Sequence, residues 1–166
     1  MNTLASLKTL ATSALIASTF SLIACGGSVD NKTASDNEAS AGNINPVDAR
    51  QATMHDLNDA MGVMGNMIKN PDKFDANTFK KEAAFLAETS EKSWEHFDDQ
   101  SAGAGGSTEA VWNDKEGFAT QIEMFKAVSA GLNDIAQNAK SVDEVKTAFA
   151  GVGAGCQSCH TIYKAE

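Results

Sequence analysis

The reading of the fold turns on Ser141-Val-Asp-Glu-Val145-Lys-Thr-Ala-Phe149-Ala-Gly-Val152-Gly-Ala-Gly-Cys156-Gln-Ser-Cys159-His160-Thr-Ile-Tyr163. Val145, Phe149, Val152, Cys156, Cys159 and Tyr163 step by 4, 3, 4, 3 and 4, which places them on one stripe of an α-helix. Ser141 followed three residues later by Glu144 reads as a capping box that opens this helix. Its second half contains C-x-x-C-H, the attachment signal of c-type haem. Two thiols three residues apart face the same way, so they can add to two vinyl groups along one porphyrin edge. His160 follows directly, and a histidine is a standard protein ligand of haem iron. A zinc site would need about four N or S ligands, and the other histidines, His55 and His96, form no second ligand pair. A redox C-x-x-C would sit near a βαβ pattern, and the chain has no strand-like alternation of useful length. One covalent haem c is the expected cofactor. Its cysteines share the stripe of the core residues, so the haem is expected to enter the interior.

Gly151, Gly153 and Gly155 lie inside the same helix. Each should cost roughly 0.5–1 kcal/mol relative to alanine. Either a missing side chain lets a flat porphyrin approach the backbone, or the helix breaks there. Working back along the chain, Phe118, Ile122, Phe125, Ser129, Leu132 and Ile135 mark a third helix running from about Glu109 or Val111 to Asn138. Residues 98–108 are a glycine-rich connector without the Gly-Lys-Ser/Thr of a phosphate loop. A second helix, capped by Asp75 or Asn77, carries Phe79, Ala83, Leu86, Ser90, Ser93 and Phe97, with Trp94 beside the seam. The first begins at Pro46 with Asn45 as cap, carries Met54, Leu57, Met61, Met64 and Ile68, and stops at Asn70-Pro71. Four such helices with short connections predict an all-α, antiparallel four-helix bundle over 46–166.

The first 24 residues hold one charge, Lys8, ahead of an apolar run, the pattern of a signal peptide. Leu22-Ile23-Ala24-Cys25-Gly26 resembles the lipobox of bacterial lipoproteins, which implies cleavage before Cys25 and its acylation. Residues 25–45 then form a flexible tether too poor in apolar side chains to fold. Haem attachment outside the cytoplasmic membrane agrees with export. The expected location is the periplasm, with a membrane contact through the lipid alone. Gly26, where an aspartate would argue for inner-membrane retention, points to the outer membrane. Without residues 1–24 the chain carries 12 Lys+Arg against 22 Asp+Glu, a net charge of -10. Nucleic acid is therefore not an expected partner, whereas a basic redox protein is compatible.

Residues 46–166 resemble the cytochrome c′ family. The resemblance rests on C-x-x-C-H on the last helix close to the C-terminus, Arg50-Gln51 early in the first helix, the Trp94 region, Glu109-Ala-Val-Trp112, and Phe149-Ala-Gly-Val-Gly-Ala-Gly-Cys156. It implies thioethers at Cys156 and Cys159, His160 as proximal ligand, Arg50 beside a haem propionate, and Lys164 as a cation near the proximal imidazole. It also implies that Met54 faces the distal side of the iron, either binding it or blocking the pocket. Met/His ligation suits electron transfer, whereas an open apolar site suits NO or CO. The expected role is a one-electron carrier, with NO/CO binding as the alternative. No distal acid/base accompanies Met54, so an enzyme is not expected. The family commonly dimerises through its first two helices, which implies a homodimer here. His55, about 100° around the helix from Met54, is expected to point away from the iron, and His96 to lie on the surface.

Overall fold

The computed structural model describes residues 45–97 and 104–165, and these are helical without a named strand. The signal peptide, Cys25 and most of the tether lie outside the described residues. Among the described residues no helix is long and apolar enough to cross a membrane. Helix α1 spans Pro46–Lys69, α2 Ala76–Lys92, α3 Ala110–Asn113, α4 Lys115–Ala136 and α5 Val142–Tyr163; a 3-10 turn, Pro71–Lys73, joins α1 to α2.

Local chemistry accounts for these boundaries. Asn45 Oδ1 accepts from Val47 N at 2.9 Å with Pro46 in the first turn. Asp75, rather than Asn77, caps α2 by accepting from Thr78 N at 2.7 Å, and hydrogen bonding from the Thr78 side chain, then from its amide, holds the carboxyl below its usual value. At α5 the capping box differs from expectation. Ser141 Oγ donates to Glu144 Oε1 at 2.9 Å instead of accepting from the Glu144 amide.

Two expected boundaries are corrected. The third helix is broken after Asn113, because Asp114 leaves the helical region (φ -121°, ψ 61°) and its carboxylate caps a new helix through Gly117 N at 3.1 Å. Ile135, placed on the seam by periodicity, is exposed, and Ala136 is buried in its stead. The second helix stops at Lys92, so Phe97 follows it rather than riding on it. In contrast, α5 runs unbroken through Gly151, Gly153 and Gly155.

The core is built from Leu57, Ala60 and Met64 of α1, Phe79, Ala83 and Leu86 of α2, Phe125 and Leu132 of α4, and Val145 and Val152 of α5. Helix α5 packs mainly on α4, α4 on α2 and α2 on α1, whereas α1 and α5 meet sparsely. They touch where a Cβ on Gly65 would lie 3.3 Å from the Phe149 ring. Beyond that contact the first half of α1 faces the last half of α5 in reverse order, so the two run antiparallel and leave a slot between them.

Candidate functional site

The slot is a cavity of about 680 Å³ with a predominantly apolar lining. Helix α5 contributes Gly153, Gly155, Cys156, Cys159, His160, Tyr163 and the adjoining Lys164. Helix α1 contributes Arg50, Gln51, Met54, Leu57 and Met61. Leu86, Trp94, Phe97, Phe118 and Phe125 close the inner end, and Gly105 to Ser107 close another edge. The structure therefore brings Cys156, Cys159, His160, Met54, Arg50 and Lys164 to one cavity. Cys25 is outside the described residues.

The aromatic wall is interlocked. Trp94 meets the edges of Phe118 and Phe125 at 6.2 and 6.1 Å between ring centroids, and its Nε1 donates to the Ser90 carbonyl at 2.5 Å. Such pairs resist collapse into the space they line. Gly153 has open space where a Cβ would stand, so its bare backbone forms part of the cavity wall. Gly155 has another role: a Cβ there would sit 3.3 Å from Val128 Cγ2, so it lets α5 approach α4. Gly151 also faces open space but lies off the cavity, and nothing in the structure explains it.

Electrostatics favour neutral donors on α5. Burial pushes the Cys156 thiol up, and burial followed by the neighbouring Cys156 pushes Cys159 up to about 11. Burial and then Lys164 hold the His160 imidazole below its usual value, so its ring is neutral with a lone pair to offer. Neither Cys156 nor Cys159 is in a disulfide. Their half-buried positions on one helix face, beside the open backbone of Gly153, fit a flat macrocycle attached along one edge.

Arg50 is only 3% exposed, which excludes a solvated surface arginine. It donates to the carbonyls of His96 (3.3 Å) and Ala104 (3.0 Å), with its guanidinium 5.0 Å from the Phe97 ring centre and 5.7 Å from that of Trp112. His96 is half-buried instead of lying on the surface, and its carbonyl is what it contributes. His55 lies at the cavity rim with its side chain exposed and paired along α1 with Asp59 at 3.2 Å, in keeping with the expectation that it points away. Lys164 is exposed and bridges to Ser107.

Sequence reasoning missed the part played by residues 104–108 and by Asp114. Gly105 has φ +68°, and a Cβ on it would meet Val47 Cγ1 at 2.5 Å. Only glycine suits that position. The Gly-Gly pair was a readable signal for such a turn; the partner it packs on was not.

A family model described as Cytochrome C' matches residues 45–164. The chain is 30% identical over 123 residues to the cytochrome c' of Halomonas halodenitrificans, covering 70% of this chain and 93% of that protein. Among solved structures, cytochrome c prime from Shewanella frigidimarina superposes with TM-score 0.67 at 31% identity, over 75% of this chain and 100% of that one. A nitric oxide complex of a point mutant of cytochrome c prime from Alcaligenes xylosoxidans superposes with TM-score 0.68 at 26% identity, over 73% of this chain and 94% of that one.

Proposed function

The chain belongs to the cytochrome c′ family and binds one covalent c-type haem, and we propose that it is a one-electron carrier in which His160 of α5 and Met54 of α1 would hold the iron. One observation carries this reading. Met54 of α1 and Cys156, Cys159 and His160 of α5 line a single, predominantly apolar cavity.

Cys156 and Cys159 are the attachment points. At each, addition of the thiol across a vinyl group would form the carbon–sulfur bond and place the thiol hydrogen on the adjacent carbon, so no oxidant would be consumed. His160 offers a neutral imidazole. Arg50 supplies a buried cation for a propionate carboxylate, where a charge-assisted hydrogen bond is strong. The bound haem supplies a one-electron couple. The aromatic wall would keep water from it, and methionine together with histidine would raise its potential. Net acidity favours a basic redox partner. We place the protein on the periplasmic side, held by lipid on Cys25, a reading carried by the N-terminal sequence alone.

A second reading is binding of NO or CO. It is favoured by the nitric oxide complex among the matched structures and by the half-buried, flexible Met54, which can occlude a site without binding it. Absorption spectra of ferric and ferrous protein with and without CO separate the two. A low-spin ferric spectrum with a weak red methionine–iron band, lost in Met54→Ala, is expected for the carrier. If Met54→Ala leaves spectrum and potential unchanged, Met54 is not a ligand and the gas-binding reading replaces it.

A further inference from the structure

Taking the proposed haem site as given, we infer that Asp114 and Tyr163 form a positioning pair that holds the last turn of α5, and with it His160, in register with the start of α4. His160 sits in the final turn of its helix, a place where helices fray unless tied. The tie is specific. Tyr163 Oη donates to Asp114 Oδ2 at 2.8 Å, while the other carboxylate oxygen of Asp114 accepts from Gly117 N at 3.1 Å. The carboxylate is thus fixed by α4 before it receives the phenol. Gly117 is part of the device. A Cβ on it would collide with Asp114 Oδ2 and stand 2.6 Å from Tyr163 Oη, so any larger residue would separate the pair.

Other bonds hold the main chain of this turn. Thr108 N donates to the Tyr163 carbonyl and Thr108 Oγ1 to that of Ile162, both at 3.0 Å, and Ala165 N donates to Gly106 O at 2.8 Å. The phenol–carboxylate bond is the one that ties a side chain of the cavity wall. Tyr163 is three residues after His160 and four after Cys159, so it lies one turn beyond both on the same side of α5. Its ring meets the edge of Phe118 at 5.1 Å, which fixes its plane. Burial and Asp114 push the phenol up to about 12, so it stays a donor throughout the neutral range. Asp114 also ends α3, which explains why the long third helix suggested by the apolar pattern is interrupted.

The test uses the full haem-loaded chain. Tyr163→Phe removes the hydroxyl alone. Asp114→Asn keeps one oxygen to cap Gly117 N but puts an NH2 donor where Oδ2 accepts from the phenol, so that bond can be remade only with its direction reversed. The expected result in Tyr163→Phe is a changed pattern of paramagnetically shifted haem resonances in the ferric protein, which reports the imidazole orientation. A change in the ferrous CO combination rate on the order of tenfold should accompany it, the scale typical of partners that orient a metal ligand. Asp114→Asn should give a smaller change in the same direction, and the double variant no more than Tyr163→Phe alone, because both act through one bond. Lower thermal stability with wild-type resonances and CO rate would assign the pair a purely structural role and overturn the inference, as would effects that simply add. A wild-type protein without c-type haem bands would instead remove the underlying reading, and this proposal with it.

Discussion

The two ends of the α1–α5 seam differ in a way that explains the molecule. At one end Gly65 admits the Phe149 ring to 3.3 Å of where its own side chain would begin, and the helices close on each other. At the other, Gly153 also lacks a side chain but has nothing within 4 Å, and the helices bound a cavity of about 680 Å³. The same residue type thus closes the seam in one place and opens it in another. What decides is the surroundings. At the open end interlocked aromatic rings, a buried arginine and a tied loop stand in the way of collapse.

The sharpest way to break this contrast is Gly153→Leu. It should fill the wall of the slot and abolish most haem incorporation while leaving a helical apoprotein, read by the ratio of Soret to protein absorbance and by circular dichroism. Wild-type haem content in that variant would mean the haem does not approach α5 there. The closed end should answer in the opposite sense. Phe149→Ala is expected to cost about 3 kcal/mol, the low end for a truncated core phenylalanine because Phe149 is half-buried, and to leave the haem spectrum unchanged. Denaturant melts and absorption spectra of the same sample check both halves.

Arg50→Met tests what keeps the open end in place. Two charge-assisted donors to the His96 and Ala104 carbonyls are lost, so unfolding should become easier by roughly 2 kcal/mol. An unchanged denaturation midpoint would show that the loop edge stands without the guanidinium.

The smallest effect is a pH dependence. The Tyr163 phenol is raised from 10.0 to about 12 in the folded chain, by burial first and then by its bond to Asp114. Between those values the unfolded chain has released this proton and the folded chain has not. Stability from this group is therefore complete below pH 10.0 and shrinks as pH rises towards 12. The difference in melting temperature between wild type and Tyr163→Phe should narrow over that interval. A constant difference would mean that the phenol titrates alike in both states.

Much of this was legible beforehand, and the reason is local. The 4-3 stripes of α1, α2 and α5 are read residue by residue, and C-x-x-C-H states its chemistry in five adjacent positions. Pro46, Asn45 and Asp75 act within one turn of themselves. The failures have a common cause as well. Asp114 looked like one polar residue in a long helical pattern, yet its carboxylate has partners at Gly117 and at Tyr163, 49 positions away. Ile135 fitted a period, but the end of α4 turned Ala136 inward.

The sequence by itself determined the helical class and displayed the C-x-x-C-H signal on which the proposed haem attachment and iron ligand rest, because each depends on spacing within one helix. Only the tertiary structure decided which glycine faces open space and which faces a neighbour, that Arg50 is buried against two carbonyls, and that Asp114 holds Tyr163. Those are contacts between segments far apart in the chain, and spacing along one helix carries no information about what will stand opposite it.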